Sequence, residues 1–129
     1  MIIVFTIMAC IAVFVIHYKN WIAFKEGIFG IASGIYTQEI PVSKINTIVF
    51  VQRLPKMKRK NGFSWMAREK GIYFDSISGQ ETKVFIDDLR QRKLRLTYND
   101  SLVLYFNLSD SLETLKYYEI LSFHIMTQR

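Results

Sequence analysis

The chain holds 129 residues, half of them hydrophobic and 15% aromatic, and carries a net charge of +6. That length leaves room for one domain, and that apolar content excludes a disordered chain. A single cysteine, Cys10, excludes an intrachain disulfide, a cysteine-based metal site and dithiol redox chemistry.

Residues Met1 to Ile16 read MIIVFTIMACIAVFVI, without a charge, a proline or a glycine. A membrane span takes roughly 17 to 25 helical residues. With Tyr18 added, Lys19 snorkelling, and Tyr18 and Trp21 at the interface, the run predicts a transmembrane anchor over 1–19 and a folded module over 20–129. A cleaved signal peptide fits less well, because the charged leader and an Ala-x-Ala site are missing. A buried core helix also fits less well, since so uniform an apolar surface needs cover on every side. Lys19 and Lys25 follow the run and only the α-amino group precedes it. The positive-inside bias then predicts a single-pass protein of the cell (inner) membrane whose module faces the cytoplasm.

From Trp21 onward, short β-branched and aromatic stretches alternate with glycine and polar turns, a strand rhythm. Trp21–Phe24, Gly27–Ser33 and Ile35–Gln38 are the first predicted strands, and Ile45–Val51 is the next. A basic loop, Lys56 to Gly62, follows Gln52-Arg53-Leu54-Pro55. Phe63–Arg68, Gly71–Phe74 and Gln80–Ile86 continue the sheet, with a turn at Ser78-Gly79. Lys93 to Leu108 reads as a hairpin about Asn99-Asp100, because Leu94, Leu96 and Tyr98 share one face with Leu102, Leu104, Phe106 and Leu108. Asp110 and Glu113 form a capping-box pattern that starts a helix running from Ser111 to about Met126. Its apolar residues spread almost round the axis, which predicts one face on the sheet and a surplus for a second contact.

The order of many strands and then one helix resembles the pleckstrin-homology superfold. More narrowly, Glu26-Gly27-Ile28-Phe29, Ile40-Pro41-Val42-Ser43-Lys44-Ile45 and Lys70-Gly71-Ile72-Tyr73-Phe74 resemble stretches of bacterial PH-like domains attached to membrane helices, over roughly residues 21 to 125. The resemblance implies a mainly β (α+β) fold, a bent antiparallel sheet of about seven strands capped by the C-terminal helix. It also implies a non-enzymatic binding or scaffolding module tied to membranes or to membrane-protein assemblies.

The charge is local. Seven basic residues and no acidic one lie between Ile40 and Arg68, whereas elsewhere ten basic residues are outnumbered by eleven acidic ones. Arg53, Lys56, Lys58, Arg59 and Lys60, with Phe63 and Trp65 beside them as interfacial wedges, are the predicted binding residues, and anionic lipid headgroups are the predicted partner. A solvated hairpin tip is the bland account of the same charges. Nucleic acid is the weaker alternative, because an anchored module meets headgroups first. A membrane-protein partner or a homo-oligomer built through the anchor and the apolar terminal helix is the other reading.

No catalytic set, metal site or cofactor motif is predicted. His17 and His124 lie at opposite ends of the chain, and Asp87-Asp88 as strand neighbours would point to opposite faces. Gly27, Gly30 and Gly34 lack the Lys-Ser/Thr and the helix of a phosphate loop.

Overall fold

The computed structural model describes residues 1–18, 20–33, 36–55, 57–65, 68–75 and 80–127, with the backbone alone at 14–18, 60–63, 65 and 75. The chain is mainly β. Strands β1 (Asn20–Lys25), β2 (Ile28–Ser33) and β3 (Tyr36–Pro41) form an antiparallel three-stranded sheet. Strands β4 (Ile45–Val51), β5 (Met57–Trp65), β6 (Arg68–Asp75), β7 (Glu81–Ile86), β8 (Lys93–Tyr98) and β9 (Leu102–Phe106) form a six-stranded sheet in the order β4-β8-β9-β7-β6-β5. Helix α1 (Ile2–Tyr18) precedes the sheets and helix α2 (Ser111–Thr127) follows them.

Turn chemistry sets the local registers. Glu26 and Gly27 both have positive φ, which makes the tight two-residue link that pairs Lys25 with Ile28. Asn99 and Asp100 likewise take left-handed φ, which their short polar side chains tolerate. Asn46 holds that turn from outside by accepting a bond from the Asp100 amide at 2.8 Å.

Alternation along the strands then builds one core between the sheets. Phe29, Ile31 and Ile40 from the small sheet meet Ile48, Phe85, Leu94, Leu96, Leu104 and Phe106 from the large one, all buried. The Phe29 and Phe106 rings stand 5.4 Å apart. Helix α2 closes one side with Leu121 and Ile125, and its Tyr118 ring lies 4.6 Å from that of Phe50. Asp110 caps its start by accepting from the Leu112 amide at 2.8 Å.

Three expectations need adjusting. The strands number nine among the described residues, in two sheets, and β7 runs parallel to β9 while the other pairings are antiparallel. Alternation tells which residues share a face and leaves open which strand lies beside which, so β8 sits outside β9 without any mark in the sequence. The predicted basic loop is, from Met57 to Gly62, the first two thirds of edge strand β5. An edge strand tolerates charge on both faces, which hides its alternation. The register shifts between Arg59 and Asn61, so one extra residue bulges there and breaks the period again.

The third concerns the anchor. Helix α1 is almost wholly apolar from Ile2 to Val13, with Thr6 the one polar side chain there, and Met1 and these side chains are all exposed, so none of them belongs to either core. At 1.5 Å per residue its 17 residues reach about 25 Å, against a hydrocarbon core of about 30 Å. No helix among the described residues is long and apolar enough to cross a membrane.

Candidate functional site

The outer face of the six-stranded sheet carries a second small core of Tyr73, Val84, Ile86 and Tyr105. Leu54 and Met57 pack on it and so pin the segment that carries the cations. Lys93, itself buried, donates to the Gln52 carbonyl at 2.8 Å and to the Leu89 carbonyl, tying the start of the same segment to the loop between β7 and β8. Burial lowers the Lys93 ammonium below its ordinary range, with Asp88 and then Glu69 pulling it partly back.

On this base Arg53 is exposed in the bend after β4, and Lys58 and Arg59 are exposed on β5. Register places Lys58 opposite Phe74 and Arg59 opposite Tyr73, so successive cations leave the strand toward opposite sides of the sheet. Arg59 is committed: its Nε donates to the Tyr73 hydroxyl at 3.3 Å, its guanidinium lies 5.9 Å from that ring's centre, and it also bonds Ser64. Burial pushes the Tyr73 hydroxyl up, and the Arg59 bond partly offsets this. Lys56 lies outside the described residues, as do the side chains of Lys60, Phe63 and Trp65, whose backbone belongs to β5. The structure therefore brings Arg53, Lys58 and Arg59 onto one strap and divides Lys58 from Arg59 by face.

A second constellation escaped the sequence analysis. Where the chain enters β1, Asn20, Ser33, Lys70, Asp87 and Asn107 are all buried and form one hydrogen-bonded hub. The Asp87 carboxylate accepts the Asn20 amide with both oxygens, at 3.0 and 2.9 Å, and pairs with the Lys70 ammonium at 2.9 Å. The Asn20 side chain donates to the carbonyls of Phe85 at 2.6 Å and Asn107 at 2.7 Å, and it accepts from Ser33 and from Lys70 at 3.1 Å. Asn107 accepts the Asp87 and Asp88 amides at 2.8 and 3.1 Å. Burial lowers the Lys70 ammonium below its ordinary value, and Asp87 opposes this.

The hub's groups bond one another across four backbone segments, which makes it a joint. One signal for it was present: Lys70 alternates with Ile72 and Phe74 in Lys70-Gly71-Ile72-Tyr73-Phe74, a lone cation in an apolar row. Asp88 is not part of the pair. Arg90 donates to it at 3.0 Å and, as the chief cause, holds its carboxyl below the usual range. Among the described residues no three His, Cys, Asp or Glu side chains cluster as metal ligands would. Compared with known proteins, the chain matches no family model, no curated protein and no solved structure.

Proposed function

We propose that the chain is a membrane-attached, non-enzymatic binding or scaffolding module of PH-like type. Helix α1 sits in the bilayer, the β body faces the cytoplasm, and the strap from Arg53 to Lys60 meets anionic headgroups or a membrane-associated protein that presents similar charge. The observation that carries this reading is an apolar helix exposed on all sides from Met1 to Val13, followed at Asn20 by a buried hub. Burying a large apolar side chain gains roughly 1.5–3 kcal/mol. Met1, Ile2, Ile3, Val4, Phe5, Ile7, Met8, Ile11 and Val13 are all available for that gain. The length deficit of about 5 Å costs only fractions of a kcal/mol per Å, through local thinning of the bilayer. Transfer outweighs mismatch several-fold.

The test is flotation of the full chain with neutral and with anionic vesicles. The anchor contributes equally to both, so the strap is read in the difference, at about 1 kcal/mol per cation at low salt. Replacing Lys56, Lys58, Arg59 and Lys60 by glutamine is expected to weaken the preference for anionic vesicles while leaving flotation on neutral ones. An unchanged preference removes the lipid role.

A second reading is favoured by a different observation. Leu112, Phe123 and Met126 on α2 are 72%, 64% and 75% exposed, which suits a subunit of a homo-oligomer or of a larger membrane complex.

A further inference from the structure

Helix α2 carries Leu112, Lys116, Glu119, Phe123 and Met126 at spacings of four, three, four and three. Those intervals place all five along one line of a helix, the seam a partner helix occupies. Each is exposed, while Thr114, Leu121 and Ile125 are buried toward the body. The seam therefore faces away from the rest of the chain.

We propose that this seam pairs with the same seam of a second copy, the two α2 helices lying antiparallel about a two-fold axis level with the midpoint between Lys116 and Glu119. The proposal deepens the second reading above and rests on it for the existence of an assembly. The stretch from Leu112 to Phe123 is a palindrome in its outer positions, apolar at both ends, and a charge-complementary pair at its inner ones. Laid antiparallel, Lys116 of each copy meets Glu119 of the other, and Leu112 of each meets Phe123 of the other. A closed two-fold contact requires such self-complementarity. A parallel pair would set Lys116 against Lys116 and Glu119 against Glu119, so charge selects the antiparallel arrangement. The Lys116 ammonium rests 5.5 Å from its own Tyr117 ring centre, which keeps it on the seam's flank.

The experiment measures the mass of the full chain in mild detergent across concentration. The wild type is expected to dimerise. Lys116→Glu and Glu119→Lys each turn two attractions into two repulsions and are expected to raise the dissociation constant about tenfold or more. The double variant K116E/E119K restores the attractions and the affinity. In a Cys10→Ser background, Leu112→Cys chains are expected to cross-link with Phe123→Cys chains and not with themselves. Circular dichroism shows whether each variant stays folded, and all four substitutions lie at exposed positions. A dimer that ignores both single charge changes, or L112C chains that cross-link to each other, overturns the antiparallel pairing and leaves assembly through α1 standing. A wild type that stays monomeric at every concentration overturns both.

Discussion

Asp87→Ala is the substitution that most directly probes how the body is held together. It removes a carboxylate that pairs with Lys70 at 2.9 Å and accepts the Asn20 amide at 2.9 and 3.0 Å, all of it buried. Breaking a buried pair by deleting one partner costs about 3–5 kcal/mol, chiefly because the other charge is left without a counterion. For a body of this size the melting temperature should fall by about 10–20 °C. The companion variant Lys70→Met/Asp87→Asn removes both charges and keeps an acceptor for the Asn20 amide, so it should lose much less than Asp87→Ala alone. Thermal and urea unfolding of the full chain in detergent, followed by circular dichroism, reads both. A loss under about 1 kcal/mol for Asp87→Ala refutes the hub as a structural joint.

The same pair gives a signed dependence on pH. Lys70 has a folded pKa below its ordinary 10.5, so between the two values the unfolded chain binds more protons. Stability therefore rises with pH across that window, and the cost of burying the ammonium is fully felt only below it. Asp87→Ala takes away the partner that raises the Lys70 pKa, so the window opens at lower pH. Its deficit against the wild type should narrow as pH climbs toward 10.5.

Two further outcomes test the frame. Asp110→Ala removes the acceptor for the Leu112 amide and should cost about 1 kcal/mol, read as a lower urea midpoint with an unchanged slope. Phe106→Ala empties the centre of the core between the sheets beside Phe29 and should cost about 3–5 kcal/mol; a loss below 1 kcal/mol contradicts the face-to-face packing.

The elements legible in the sequence are those whose pattern is local. Ile45–Val51 coincides with β4, the Asn99-Asp100 turn joins β8 to β9, and the helix begins at Ser111 behind Asp110. In each case a side-chain period or a turn residue acts within a few positions. Of the hub only Lys70 is marked in the sequence, as a lone cation in an apolar row; its partners Asn20, Asp87 and Asn107 acquire their meaning only once four distant backbone segments meet. The basic strap was half legible. Its charge is plain in the composition, yet its strand character is concealed by exposure on both faces and by the bulge after Arg59.

That strand character supplies a competing cause for the charge. β5 is an edge of the six-stranded sheet, and an edge strand offers unpaired amides and carbonyls to any passing chain. Lysine and a bulge on such an edge are the usual devices against pairing, so Lys58 and the irregularity between Arg59 and Asn61 have work to do even without a lipid. Arg53 is different, because it lies outside the strand, in the bend after β4, where edge protection asks nothing of it. The two causes separate cleanly when the strap is neutralised. If the cations serve only the edge, glutamine at Lys56, Lys58, Arg59 and Lys60 raises self-association and leaves vesicle preference alone, and Arg53→Gln changes neither. If they also serve a headgroup surface, the preference for anionic vesicles falls in both variants, and added salt reproduces the loss in the wild type.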